Sequence, residues 1–113
     1  MTPAFSPATD RIRCLNDRLR AHFIGGQVMI TSGVQSLGSE FRIACVHAIR
    51  GFTSFDEDND PHGEHDFGAV TVLGRRVFWK IDYYDRNLEF GSPDPSDPAV
   101  TTRVLTILLP DEW

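Results

Sequence analysis

The chain has little cysteine, no long apolar run and, between Arg50 and Arg75, no lysine or arginine at all. Each shortage excludes something. Two cysteines, Cys14 and Cys45, cannot build the disulfide framework of a small secreted domain. Both fall on the apolar sides of predicted helices, so buried free thiols in a reducing cytosol are expected. The longest run of Val, Leu and Ile, Ile107 to Leu109, is far too short to cross a bilayer, and no membrane association is expected. The opening residues Met1-Thr-Pro-Ala-Phe-Ser-Pro7 lack the basic start and apolar stretch of a secretory signal, which predicts a cytoplasmic protein. No glycine-rich phosphate loop, G-x-S-x-G elbow or C-x-x-C pair occurs. Cys45 and His47 stand two apart on one predicted helix and so point to different faces, which argues against a Cys–His nucleophile.

What is present is an ordinary globular composition: 113 residues, 41% hydrophobic and 11% aromatic, enough for one modest core and no second domain. The charge is lopsided within a net of −5. Residues 1–50 carry six arginines against Asp10, Asp17 and Glu40, while residues 51–113 carry thirteen acids against five bases. An acidic half of this kind repels phosphate, so direct binding to DNA or RNA is disfavoured except through an arginine-bearing first helix. A basic protein surface or a cation matches it better.

Ile12, Leu15, Leu19 and Phe23 recur at helical spacing, with Thr9 or Asp10 as cap, Gly25-Gly26 as stop, and Arg11, Arg13, Arg18 and Arg20 mostly toward solvent. Residues 1–8 ahead of it are expected to be a flexible segment, and 9–113 one domain. Gln27–Thr31 reads as a short strand. Leu37, Phe41, Cys45, Ala48, Ile49 and Phe52 form the apolar stripe of a second helix, with Ser36 or Ser39 at its start and Gly51 at its end. Residues 53–66 are polar, acidic and broken by Pro61 and Gly63, hence a loop. Phe67–Leu73 and Arg76–Tyr84 flank Gly74 as a hairpin; in the second strand Val77, Trp79, Ile81 and Tyr83 share one face and Phe78, Lys80, Asp82 and Tyr84 the other. Residues 91–98 are a proline-punctuated connection, and Thr102–Leu109 is a nearly continuous apolar, hence central or doubly covered, strand. The expected fold is α+β: two helices packed on an antiparallel sheet of three to four strands.

Chemistry concentrates in the loop Asp56-Glu-Asp-Asn-Asp-Pro-His-Gly-Glu-His-Asp66. Acids at 56, 58 and 60 start like a calcium loop, but Pro61 replaces the turn glycine and Phe67 the bidentate glutamate, so an EF-hand is rejected. His62 and His65 have H-x-x-H spacing, and with Glu64 and Asp66 nearby they make a candidate set for a divalent transition metal. The competing reading is that Asp and Asn side chains here close turns on their own backbone. Lys80, Asp82, Tyr84 and Asp85 form a second candidate cluster: Lys80 and Asp82 share a strand face and predict an ion pair, around which the loop carboxylates would gather if they approach that face.

The segments N59-D-P-H-G-E-H-D-F-G68, F78-W-K-I-D-Y-Y-D85 and G91-S-P-D-P-S-D-P-A-V-T-T-R-V-L-T-I-L-L109, together with L15-N-D-R-L-R20, resemble a bacterial family known as domain of unknown function 3768. The resemblance implies bacterial origin and frequent residence on plasmids and other mobile elements. It brings no activity, cofactor or residue role.

Two functional readings follow, and enzymatic activity stays open between them. The first is a small acidic accessory protein that binds a host protein through Asp56, Glu57, Asp58, Asp60, Glu64 and Asp66, as an anti-restriction or anti-CRISPR inhibitor imitating phosphate charge. The second is a metal-dependent enzyme, such as a hydrolase, built on His62, Glu64, His65 and Asp66 with Lys80 or Asp82 assisting. A third, structural reading has the D-P-H-G-E-H-D segment locking the fold, its groups buried and satisfied.

Overall fold

The computed structural model of the chain describes residues 5–113. Its first helix, α1 (Pro7–His22), starts earlier than the apolar period requires. Ser6, not Thr9 or Asp10, is the cap: its hydroxyl accepts the Thr9 N–H at 3.1 Å, and Pro7 takes the first-turn position where no N–H is needed. Two residues of the expected flexible segment, Pro7 and Ala8, are therefore helical; residues 1–4 lie outside the described residues. The left-handed stop falls on Phe23 (φ 56°), not on the glycines after it. Gly26 serves close approach instead, since a Cβ there would stand 2.6 Å from the Arg103 carbonyl oxygen.

β1 (Gln27–Ile30) leads through a single helical turn, α2 (Ser32–Gln35), into α3 (Ser39–Arg50). Neither expected serine caps α3; Gly38 occupies the cap position and Gly51 the end. Phe41, Cys45, Ile49 and Phe52 are buried as the stripe predicts, but Leu37 lies outside the helix and is exposed. Cys14, expected buried, is exposed on α1; only Cys45 is a core thiol, and burial pushes its pKa up.

After the loop come β2 (Phe67–Val72), β3 (Arg75–Tyr84) and β4 (Thr102–Leu108), giving the sheet order β1-β4-β3-β2. The α+β class and the hairpin stand as expected, and β4 is central. One correction concerns direction: β1 pairs parallel to β4, so the sheet is mixed, not antiparallel throughout. Strand direction here is set by the crossover that carries α3 between β1 and the hairpin, a long-range property invisible in a four-residue strand.

The helices cover one face only. There Leu19, Val34, Phe41, Cys45 and Ile49 meet Val77, Trp79, Ile81, Leu105 and Ile107, and each large side chain so buried contributes roughly 1.5–3 kcal/mol. Gly68 is required by this packing, because a Cβ on it would lie 2.3 Å from Trp79 Nε1. The other face is partly covered at one end by the 3-10 turn Pro110–Glu112. Glu112 Oε1 accepts the Thr31 hydroxyl at 2.7 Å and the Leu109 N–H at 2.8 Å, and Trp113 stands edge-on to Phe67 and Phe78. Among the described residues, no helix is long and apolar enough to cross a membrane.

Candidate functional site

The acidic loop divides into two halves with different partners. In the outer half, Asp56 Oδ1 accepts the backbone N–H groups of Asp58 and Asn59, both at 2.9 Å. The Asn59 side chain answers by accepting the Asp56 N–H at 2.9 Å and donating to the Ser54 carbonyl at 2.7 Å. The turn is thus closed on its own backbone, as Asp and Asn favour. Asp56, Glu57 and Asp58 are exposed, and none has an ion-pair partner among the described residues.

The inner half is tied to α1 and β3. Asp60 is only 9% exposed; its Oδ1 accepts the His65 N–H at 3.1 Å and its Oδ2 lies 3.5 Å from His65 Nε2. His65 Nδ1 is 2.8 Å from Asp17 Oδ1, an oxygen that also accepts from Arg20 at 2.9 Å. The imidazole stacks on Phe55 (centroids 3.7 Å, planes 3° apart), and the Arg20 guanidinium lies over both Phe55 and Trp79. Arg20, expected toward solvent, is buried.

Beside this, Glu64 Oε1 accepts the Tyr83 hydroxyl at 2.6 Å. Asn16, fully buried, donates from Nδ2 to the Tyr83 oxygen at 2.8 Å and to the Glu64 carbonyl at 3.0 Å, and accepts from Arg103 Nε at 2.9 Å. Arg103 also donates to the Pro95 carbonyl and covers the Tyr83 ring. Burial and the bond to Glu64 push the Tyr83 phenol far above its ordinary range, while burial lowers the Arg103 guanidinium. Arg13 completes the seam by donating to the Gly63 carbonyl at 2.9 Å.

The residues read as a metal set have different surroundings. His62 is exposed, both ring nitrogens of His65 face carboxylates, Glu64 is bound by Tyr83, and Asp66 is half-buried at the start of β2. Among the described residues no three His, Cys, Asp or Glu side chains converge in a way that could hold a metal ion. The backbone is left-handed at Gly63 (φ 70°) and His65 (φ 54°), and while His65 turns to Asp17 and Asp60, His62 stays exposed.

The second cluster is smaller than expected. Lys80 and Asp82 do form an ion pair, at 3.0 Å, with the Lys80 ammonium 5.6 Å above the Trp113 ring. Asp66 approaches them, lining the same pocket of about 400 Å³, and burial followed by the nearby Glu64 charge raises its pKa. The Glu64 carboxylate instead binds Tyr83 on β3, and His65 turns to Asp17 on α1. Tyr84 is half-buried, and Asp85 is spent on a turn, its Oδ1 accepting the Asn87 and Glu89 N–H groups at 3.1 Å.

A groove of about 820 Å³ opens where the loop meets the start of α1. Phe5, Phe55 and Pro61 supply apolar lining, the Asp10–Arg13 ion pair (2.6 Å) lies on one side, and Asp56 and Glu57 form the free acidic rim. The residues read from the sequence as a partner-binding set thus separate: Asp56, Glu57 and Asp58 face outward, Asp60 and Glu64 brace the loop, and Asp66 sits between. Asn16, Asp17, Arg20, Tyr83 and Arg103 were not anticipated as members of this region. A signal existed for Arg103, a lone charge in an otherwise apolar strand.

A family model described as Protein of unknown function (DUF3768) matches residues 30–112. The chain belongs to this family. The DUF3768 match takes in the acidic loop and the last three strands; α1, which supplies Asn16, Asp17 and Arg20, precedes it. No curated protein and no solved structure matches the chain.

Proposed function

We propose that this protein works by binding another protein, and that the groove bounded by Asp56 and Glu57 receives a basic segment of that partner. The observation carrying the reading is the contrast in exposure: Asp60 and Glu64 are taken partly or wholly out of water against His65 and Tyr83, whereas Asp56, Glu57 and Asp58 are three consecutive exposed acids with no ion pair among the described residues. Lysine or arginine side chains would pair with the rim, and an apolar neighbour would rest on Phe5 and Phe55. In its narrowest form, the partner is a bacterial host nuclease of the restriction or CRISPR type. The rim would occupy its nucleic-acid groove in the cytoplasm on behalf of a mobile element, the context that the family resemblance implies.

Titration of isotope-labelled protein with a short lysine–leucine peptide, monitored by amide chemical shifts, tests the general reading. Shifts centred on Phe5 and residues 54–61, weakened by salt and lost in the triple variant Asp56→Lys/Glu57→Lys/Asp58→Lys, are expected. Binding that survives the reversal counts against it. The narrow form is tested by transforming unmodified plasmid into restricting cells that express the protein: efficiency should rise, and the triple variant should abolish the gain.

A further inference from the structure

The two edges of the sheet are finished differently. At β1 the edge is four residues long, and the Ile30 carbonyl is occupied by Gln35 Nε2 at 2.8 Å. At β2 nothing comparable exists. The Asp66 carbonyl accepts the Ile81 N–H, so with the register Phe67↔Lys80 the inward hydrogen-bonding positions are 66, 68, 70 and 72. Phe67, Ala69 and Thr71 therefore aim their N–H and C=O groups away from the sheet, and no hydrogen bond to these groups occurs among the described residues. The strand F-G-A-V-T-V carries no charge and no proline, and no bulge interrupts its register, so it lacks the usual devices that keep an edge from pairing.

We propose that this edge is a self-association surface: two copies of the chain pair antiparallel through β2, joining their four-stranded sheets into one. The occupant follows from symmetry and charge. The outward set is symmetric about Ala69, so a two-fold axis there brings Phe67 opposite Thr71 of the second copy and Ala69 opposite its counterpart. Each pair then exchanges both backbone hydrogen bonds. An uncharged strand meets itself without like-charge contact. The flanks are complementary: the acidic Asp66 directly precedes β2, while Arg75 and Arg76, which open β3 just past the hairpin turn, are exposed and have no ion pair among the described residues. Antiparallel pairing lays the acidic end of each copy beside the arginines of the other; a parallel arrangement would set acid against acid. One short strand buries little area, so the dimer dissociates on dilution.

Sedimentation velocity over a concentration series tests this. The wild-type chain should pass from the 12.7 kDa monomer to twice that mass as concentration rises, with amide exchange at Phe67, Ala69 and Thr71 slowing in parallel. Thr71→Pro removes an outward N–H without touching the internal ladder and should remain monomeric. Arg75→Glu/Arg76→Glu and Asp66→Lys should each weaken self-association about tenfold or more. An equimolar mixture of those two variants should restore it, because each copy then meets opposite charge at both flanks. A wild-type chain that stays monomeric overturns the proposal and leaves the edge to solvent or to a strand of another protein. Association unchanged in both Thr71→Pro and Arg75→Glu/Arg76→Glu overturns it as well, and the arginine variant keeps the test valid if the proline variant fails to fold.

Discussion

The outer and inner halves of the acidic loop have similar composition and opposite fates. Residues 56–58 are exposed acids on a turn that satisfies itself; in residues 60–65, Glu64 meets Tyr83 of β3, His65 meets Asp17 of α1, and Asp60 meets His65. A carboxylate placed in water costs the fold little, whereas one taken partly out of water must be met by donors, and the inner half meets that demand through Tyr83, His65 and backbone N–H groups. A run of acids is therefore not one surface. What divides it is which carboxylates the helix and sheet can reach.

The largest expected effect comes from removing the bridge on which the inner half depends. Asn16→Leu leaves the Arg103 guanidinium and the Tyr83–Glu64 pair short of partners, and urea unfolding should show a loss of about 3 kcal/mol. A loss under half a kilocalorie would break the contrast. Next comes His65→Ala, which deletes the stacking on Phe55 and the contacts to Asp17 and Asp60; roughly 1–2 kcal/mol is expected. The same substitution in an Asp17→Ala background should cost less, as a double-mutant cycle would record.

A third prediction concerns Asp66, whose pKa is raised above the ordinary 3.8 chiefly by burial. A carboxyl with a raised folded-state pKa favours the fold while protonated, and that contribution disappears as pH climbs from the unfolded value through the folded one. Asp66→Asn should therefore unfold at a higher temperature than wild type near about pH 7, and the advantage should vanish near about pH 3. An advantage that persists in acid would point to a cause other than ionisation. The smallest effect belongs to the outer half: Asp56→Asn/Glu57→Gln/Asp58→Asn should shift stability by no more than about 0.5 kcal/mol while lowering affinity for the lysine–leucine peptide.

Local patterns carried much of the fold. The helical period of Phe41, Cys45 and Ile49 and the alternation of Val77, Trp79 and Ile81 each foretold the buried face, because periodicity is a property of neighbouring residues. Helix ends were less legible, since Ser6 and Phe23 took roles that threonine and glycine fill equally well in sequence. Composition marked the acidic loop as the candidate site, but the residues that brace it were hidden: the contact between Asn16 and Tyr83 spans 67 positions, and no local signal couples them.

Composition and spacing alone decided that this chain has one core, an α+β makeup, an acidic loop and a charged strand beside it, since these rest on residue type and short-range period. Tertiary structure alone decided that β1 runs parallel to β4, that the loop's carboxylates split between water and the interior, and that His65 packs between Asp17, Asp60 and Phe55 while His62 is exposed. Those outcomes depend on which distant groups the packed backbone brings within a few ångströms, and on the left-handed turns at Gly63 and His65 that aim the side chains once it has done so.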